Sequence, residues 1–148
     1  MEFNFATLWE RTADLIPNKT AIICGDEEKT WGEYENVSAK LATALIDAGL
    51  TTYSKAGLYL HNSNEYLEAQ FSIFKIGGTP INVNYRYKSE ELLYLLDNSD
   101  CEALFYQACY GDQINKIKDL LPKIKAWIEV ADGSDSVVEN CMHYSSLI

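Results

Sequence analysis

The side chains with the greatest chemical reach in this sequence lie between His61 and Lys88. Arg86 and Lys88 follow an apolar run that closes on Asn82, Val83 and Asn84. A guanidinium offers paired donors matched to phosphate oxygens and stays charged at any working pH. Arg86 is therefore the candidate contact for an anionic ligand, with Lys88 as a weaker helper. The competing use of Arg86 is an ion pair with Glu90 or Glu91, just downstream. His61 stops an earlier apolar run, where a histidine is a candidate acid or base. No Ser or Cys nucleophile with an orienting acid can be assigned to it by spacing, so a structural or solvated role is expected. Tyr85, Tyr87 and Tyr94 could line an apolar tunnel, although packing in the core or at its rim is the simpler expectation.

Other chemistries have no motif. The four cysteines, Cys24, Cys101, Cys109 and Cys141, show no C-x-x-C spacing and no paired histidine ligands. They read as reduced, mostly buried thiols rather than disulfides or metal ligands. No G-x-G-x-x-G follows a strand and no G-x-x-x-x-G-K-[ST] occurs, so neither a nicotinamide site nor a P-loop is supported. The formal charge of -10 and the absence of a Lys/Arg cluster argue against nucleic acid as a partner. The same charge means that an anion must be held by local donors against the overall field. No apolar run reaches the ~18 residues of a membrane span, and the first ten residues have neither a basic start nor an apolar core. A cytoplasmic location is the expectation. With 148 residues, 47% hydrophobic and 23% charged, the chain suits one domain with a real core.

The elements that must position these residues follow from periodicity. Phe5, Leu8, Trp9, Ala13 and Ile16 recur at helical spacing and predict a helix stopped by Pro17. Thr20 to Cys24 reads as a strand turning at Gly25 to Glu28 into half a hairpin. Thr30 to Glu33 is a capping box that opens a long helix with Tyr34, Val37, Leu41, Leu45 and Ala48 on one face. Ala56 to Leu60 is a short strand. Asn62, Ser63, Asn64 and Glu65 come close to a second capping box, and the helix after it, Tyr66 to Ile76, is apolar almost all round. Gly77 and Gly78 end that helix, and Thr79 to Val83 begins another strand. This is a parallel crossover unit. Ser89 should cap a helix with Leu92, Leu93, Leu95 and Leu96 inward. Cys101 to Tyr106 is a strand. Asp112 starts a helix with Ile114, Ile117, Leu120 and Leu121 inward, and Ala126 to Val130 is the last clear strand. The sum is an α/β fold, an open, mostly parallel sheet flanked by helices on both faces. Ligands in such sheets sit beyond the carboxyl ends of the strands, which here offer His61 to Ser63, Asn82 to Tyr87, and Gln107.

Four motifs in this central region carry a family resemblance. Asn62-Ser63 ends a strand, Lys75-Ile-Gly77-Gly78 ends a helix, Asn84-Tyr85-Arg86 follows a strand, and Ser89-Glu-Glu-Leu92 opens a helix. Together they resemble the early region of the adenylate-forming (AMP-binding) acyl-CoA synthetases, and Val83 to Tyr87 is most similar to bacterial fatty-acyl or steroid-side-chain CoA ligases. The resemblance covers roughly residues 3 to 130. Trp31 stands where the family usually has Tyr, and its Gly-Asp turn is replaced by Thr51 to Gly57. The resemblance implies that residues 1–148 are the N-terminal portion of the synthetase N-terminal domain. It implies a parent ligase that uses ATP, Mg and CoA on a small-molecule carboxylate. Arg86 matches a family arginine that can contact the CoA nucleotide phosphate, so Arg86 and Lys88 are the expected CoA contacts, with no catalytic residue and no metal ligand. The family phosphate loop, the ATP-ribose Asp and the catalytic Lys domain are not found in these residues, and the fragment alone is expected to be inactive. Two alternatives from other classes are a stand-alone, non-catalytic flavodoxin-like binding module and a fragment that self-associates through uncovered surface.

Overall fold

The computed structural model describes residues 4–148, built as α1 (Phe5–Leu15), a hairpin of β1 (Thr20–Cys24) and β2 (Glu27–Thr30), α2 (Trp31–Asp47), β3 (Lys55–Tyr59), α3 (Asn64–Lys75), β4 (Thr79–Asn82), α4 (Ser89–Asn98), β5 (Ala103–Gln107), α5 (Gly111–Ile117), β6 (Ala126–Val130) and β7 (Met142–His143). The main sheet has the order β4-β3-β5-β6-β7, with every neighbouring pair parallel. Strand β7 was not foreseen: two residues carry too little pattern to read, and only pairing with Ile128 and Glu129 defines them.

The parallel sheet is buried on both faces, as crossover helices require. Alternation along each strand separates the two cores. Leu58, Phe105 and Ile128 join Leu41, Leu45, Ala69 and Ile73 of α2 and α3 on one face. Tyr59, Leu104, Tyr106 and Trp127 join Leu92, Leu96, Ile114 and Ile117 of α4 and α5 on the other. Gly57 faces this second core: a Cβ there would stand 2.6 Å from Leu104 Cδ1 and 3.3 Å from Leu96 Cδ2. A third cluster seats α1 and the hairpin on α2 and α3 through Ala6, Ile22, Tyr34 and Phe71, with Trp9 edge-on to Phe71 at 5.1 Å.

Local signals mostly act where the sequence places them. Thr30 and Glu33 form the full capping box of α2. The cap of α3 is Ser63 rather than Asn62, its hydroxyl accepting the Tyr66 amide at 3.3 Å. The cap position of α4 is Lys88, whose amide donates to the Glu91 carboxylate at 3.0 Å; Ser89 lies inside the helix and its hydroxyl donates to Gln113. Helix α5 ends at Ile117 and tightens into a 3-10 turn, which rotates Leu120 out to 60% exposure while Leu121 stays buried. The apolar wheel of α3 is real, since its sides pack on two different clusters, yet Leu67 is exposed and two polar residues, Glu68 and Ser72, are completely buried. The Lys29 amine and the Tyr144 hydroxyl both reach the Glu68 carboxylate. This pairing offsets the desolvation of a buried charge.

Candidate functional site at the carboxyl edge of the sheet

Beyond β3, β4 and β5 the chain forms a connected polar and aromatic rim. The His61 amide donates to Gln107 Oε1 at 2.9 Å, and its ring Nε2 lies 2.7 Å from the Tyr110 hydroxyl. Tyr110 stacks on Tyr59 with centroids 4.2 Å apart, and the Tyr59 hydroxyl donates to the Tyr87 carbonyl. The Tyr85 ring meets His61 at 5.0 Å in an edge contact. Three strand ends are thus tied together through side chains separated by up to 49 positions. Burial, with the neighbouring Tyr110 adding to it, pushes the Tyr59 hydroxyl up to about 12, so it remains a donor. His61 is itself exposed but not simply solvated: Gln107 and Tyr110 hold it.

Arg86 stands at the outer part of this rim. Its amide donates to Asn84 Oδ1 at 3.0 Å, an Asx turn that fixes where the side chain leaves the backbone. The guanidinium lies 5.5 Å from the Tyr85 ring centroid. Among the described residues no carboxylate comes within ion-pair distance of Arg86, and Glu91 is committed to the Lys88 amide. The expected competitor for this cation is therefore not engaged. Lys88 is exposed at the start of α4, two residues away.

The rim has no activated nucleophile. Ser63 is spent as a cap. Cys109 is exposed, but partial burial and a hydrogen bond to Asp132 push its thiol up to about 11, away from thiolate character. Burial would raise Asp132, but hydrogen bonds from Cys109 and Ser134 overcome it and hold the carboxyl at about 2. Asp132 is taken up by the Cys109 amide at 3.0 Å and the Ser134 amide at 3.0 Å.

The tyrosines enclose no tunnel, but Tyr87 and Tyr94 border an open cleft with Glu90, Glu91 and Leu95. Tyr87 is half-buried against the second core, whereas Tyr85 and Tyr94 are 44% and 71% exposed. A separate, mostly apolar cleft of about 250 Å³ lies between Ile22, Ile23, Cys24, Asn62, Ser63, Tyr66 and Leu67, and includes neither Arg86 nor Lys88. All four cysteines are free, but only Cys101 is buried, contrary to the expectation of mostly buried thiols.

A doubly covered parallel sheet with a polar rim at the strand carboxyl ends places the chain in the open α/β class of folds. The family profile described as AMP-binding enzyme matches residues 9–146, and the chain belongs to this family. It is 42% identical over 132 residues to a medium/long-chain-fatty-acid–CoA/3-oxocholest-4-en-26-oate–CoA ligase of Mycobacterium marinum, covering 89% of this chain and 24% of that protein. It is 37% identical over 135 residues to a 3-oxocholest-4-en-26-oate–CoA ligase of Rhodococcus rhodochrous, covering 91% and 24%. The chain thus spans about a quarter of the length of these relatives. Among solved structures, an anthranilate CoA ligase in complex with anthranoyl-AMP superposes with a TM-score of 0.88 at 23% identity, over 98% of this chain and 27% of that one. A Mycobacterium tuberculosis fatty acyl CoA synthetase does so at 0.79 and 21%, over 90% and 27%. At these identities the structural likeness speaks to the fold. No helix among the described residues is long and apolar enough to cross a membrane.

Proposed function

We propose that these residues are the N-terminal portion of a cytoplasmic, ATP-dependent acyl-CoA ligase acting on a medium- or long-chain fatty acid or a steroid-side-chain carboxylate. The observation that carries the reading is the family match over residues 9–146, combined with 42% identity to a ligase of that description. In the complete enzyme the carboxylate oxygen attacks the α-phosphorus of Mg-ATP and pyrophosphate leaves. The CoA sulfur then attacks the acyl carbonyl carbon and AMP leaves. Such chemistry is mainly positioning and charge neutralisation. No group for the adenylation step is assigned to this chain.

Its own contribution is at the second step. Arg86, uncommitted to any carboxylate and held by the Asn84 turn, binds a phosphate of the CoA nucleotide, and Lys88 adds positive charge beside it. The His61, Tyr85 and Tyr110 rim keeps the loop after β4 in place. In the full-length ligase, Arg86→Ala should raise the KM for CoA about 10- to 100-fold, the loss of a charge-assisted hydrogen bond, while ATP–pyrophosphate exchange stays unchanged. An unchanged KM for CoA would remove Arg86 from the site. The 148 residues alone should form no thioester in an ATP- and CoA-dependent assay; turnover there would overturn the assignment of the chemistry to other polypeptide.

A further inference from the structure

We propose that Glu129, Cys141 and His143 form a binding site for a zinc-class divalent ion at the β6–β7 edge of the sheet. One ligand atom from each residue lies within 4.8 Å of the other two. Glu129 and His143 are register partners on neighbouring parallel strands, and Glu129 Oε1 stands 3.3 Å from His143 Nδ1. A tetrahedral zinc ion with bonds of about 2.0–2.3 Å holds its ligand atoms roughly 3.3–3.8 Å apart. One pair already has that separation; Cys141 is half-buried against the second core, and the exposed His143 side chain has room to close the remaining distance.

The donor set selects the ion. One sulfur, one imidazole nitrogen and one carboxylate oxygen suit zinc and its neighbours, whereas magnesium and calcium take oxygen shells. The carboxylate is the fixed member. Glu129 is 8% exposed, and its Oε2 accepts from the Tyr106 hydroxyl at 3.2 Å, an outer contact that orients Oε1 toward His143. A cation between these groups compensates a carboxylate otherwise taken out of water. On binding, the Cys141 thiol gives its proton to solvent, the thiolate and the neutral His143 ring each donate a lone pair, and a water completes the fourth position on the exposed side. The ion would then clip the two-residue strand β7 to the sheet.

Cobalt(II) titration of the purified 148-residue chain is the test, because a thiolate ligand gives an ultraviolet charge-transfer band and a tetrahedral site gives visible ligand-field bands. Both should saturate at one equivalent, be displaced by zinc and be unaffected by magnesium. Cys141→Ser should abolish the charge-transfer band, whereas Cys109→Ser, which changes the exposed thiol at another strand end, should retain it. His143→Ala should weaken the binding at least tenfold. Zinc should raise the melting temperature of the starting chain and not that of Cys141→Ser. Absence of the bands, which is the result expected of a plain His143–Glu129 ion pair, or their persistence in Cys141→Ser, would overturn the proposal.

Discussion

Arg86 and His61 show how differently two residues of the same rim can be read. Arg86 can be singled out from its side-chain chemistry alone; the structure adds that Glu91, one of its two expected carboxylate partners, accepts from the Lys88 amide instead. The role of His61 was not legible, because Tyr110 and Gln107 are more than forty positions away and no spacing rule connects them. Tyr110→Phe deletes that hydrogen bond but keeps the stack on Tyr59, and should cost about 1 kcal/mol of stability in urea unfolding. Glu68 was likewise hidden, a carboxylate on an apolar helix that looks solvated until Lys29 and Tyr144 arrive. Glu68→Ala should cost about 1–3 kcal/mol, because it leaves the buried Tyr144 hydroxyl without its acceptor while the partly exposed Lys29 amine can turn to water. Asp132 gives a pH effect of known sign. Its carboxyl falls from 3.8 to about 2 on folding, so its contribution is complete above pH 3.8 and is lost as pH falls toward 2. The group is exposed, and the contribution is a few tenths of a kcal/mol. Asp132→Asn should flatten that part of the acid-stability curve measured by circular dichroism.

At the scale of elements, each helix and strand predicted from period and caps is present, with most boundaries moved by a residue or two and the end of α5 by about four. Ser63 takes the cap that Asn62 resembled, and Lys88 takes the position expected of Ser89, because several adjacent polar residues can serve and tertiary packing chooses among them. Leu120 fails for a clearer reason: its helical phase was extrapolated through a point where α5 tightens to three residues per turn. Gly57 in β3 lets Leu104 and Leu96 lie against the strand without a Cβ between them. Gly57→Ala should therefore destabilise the chain by about 1–3 kcal/mol, and trimming the clash in Gly57→Ala/Leu104→Ala should cost less than the sum of the two single changes. A strictly additive double-mutant cycle would contradict the close-packing account.

For the whole molecule, five parallel strands leave β4 and β7 as sheet edges, and Leu15, Ile23 and Val137 are each more than two-thirds exposed. Unpaired strand edges favour association. Light scattering over a concentration series should show the mass of the 148-residue chain rising; a constant monomer mass would count against it. The sequence by itself determined the order of elements, the doubly buried parallel sheet and the strand ends that could carry a ligand. All of these rest on interactions within a few turns of chain, where caps, glycines and apolar period act locally. Only the tertiary structure decided that His61 belongs to Tyr110, that Glu68 is a buried charge, and that Glu129, Cys141 and His143 meet. Contacts of that kind depend on which strands lie side by side, and no local pattern encodes the pairing of a two-residue edge strand.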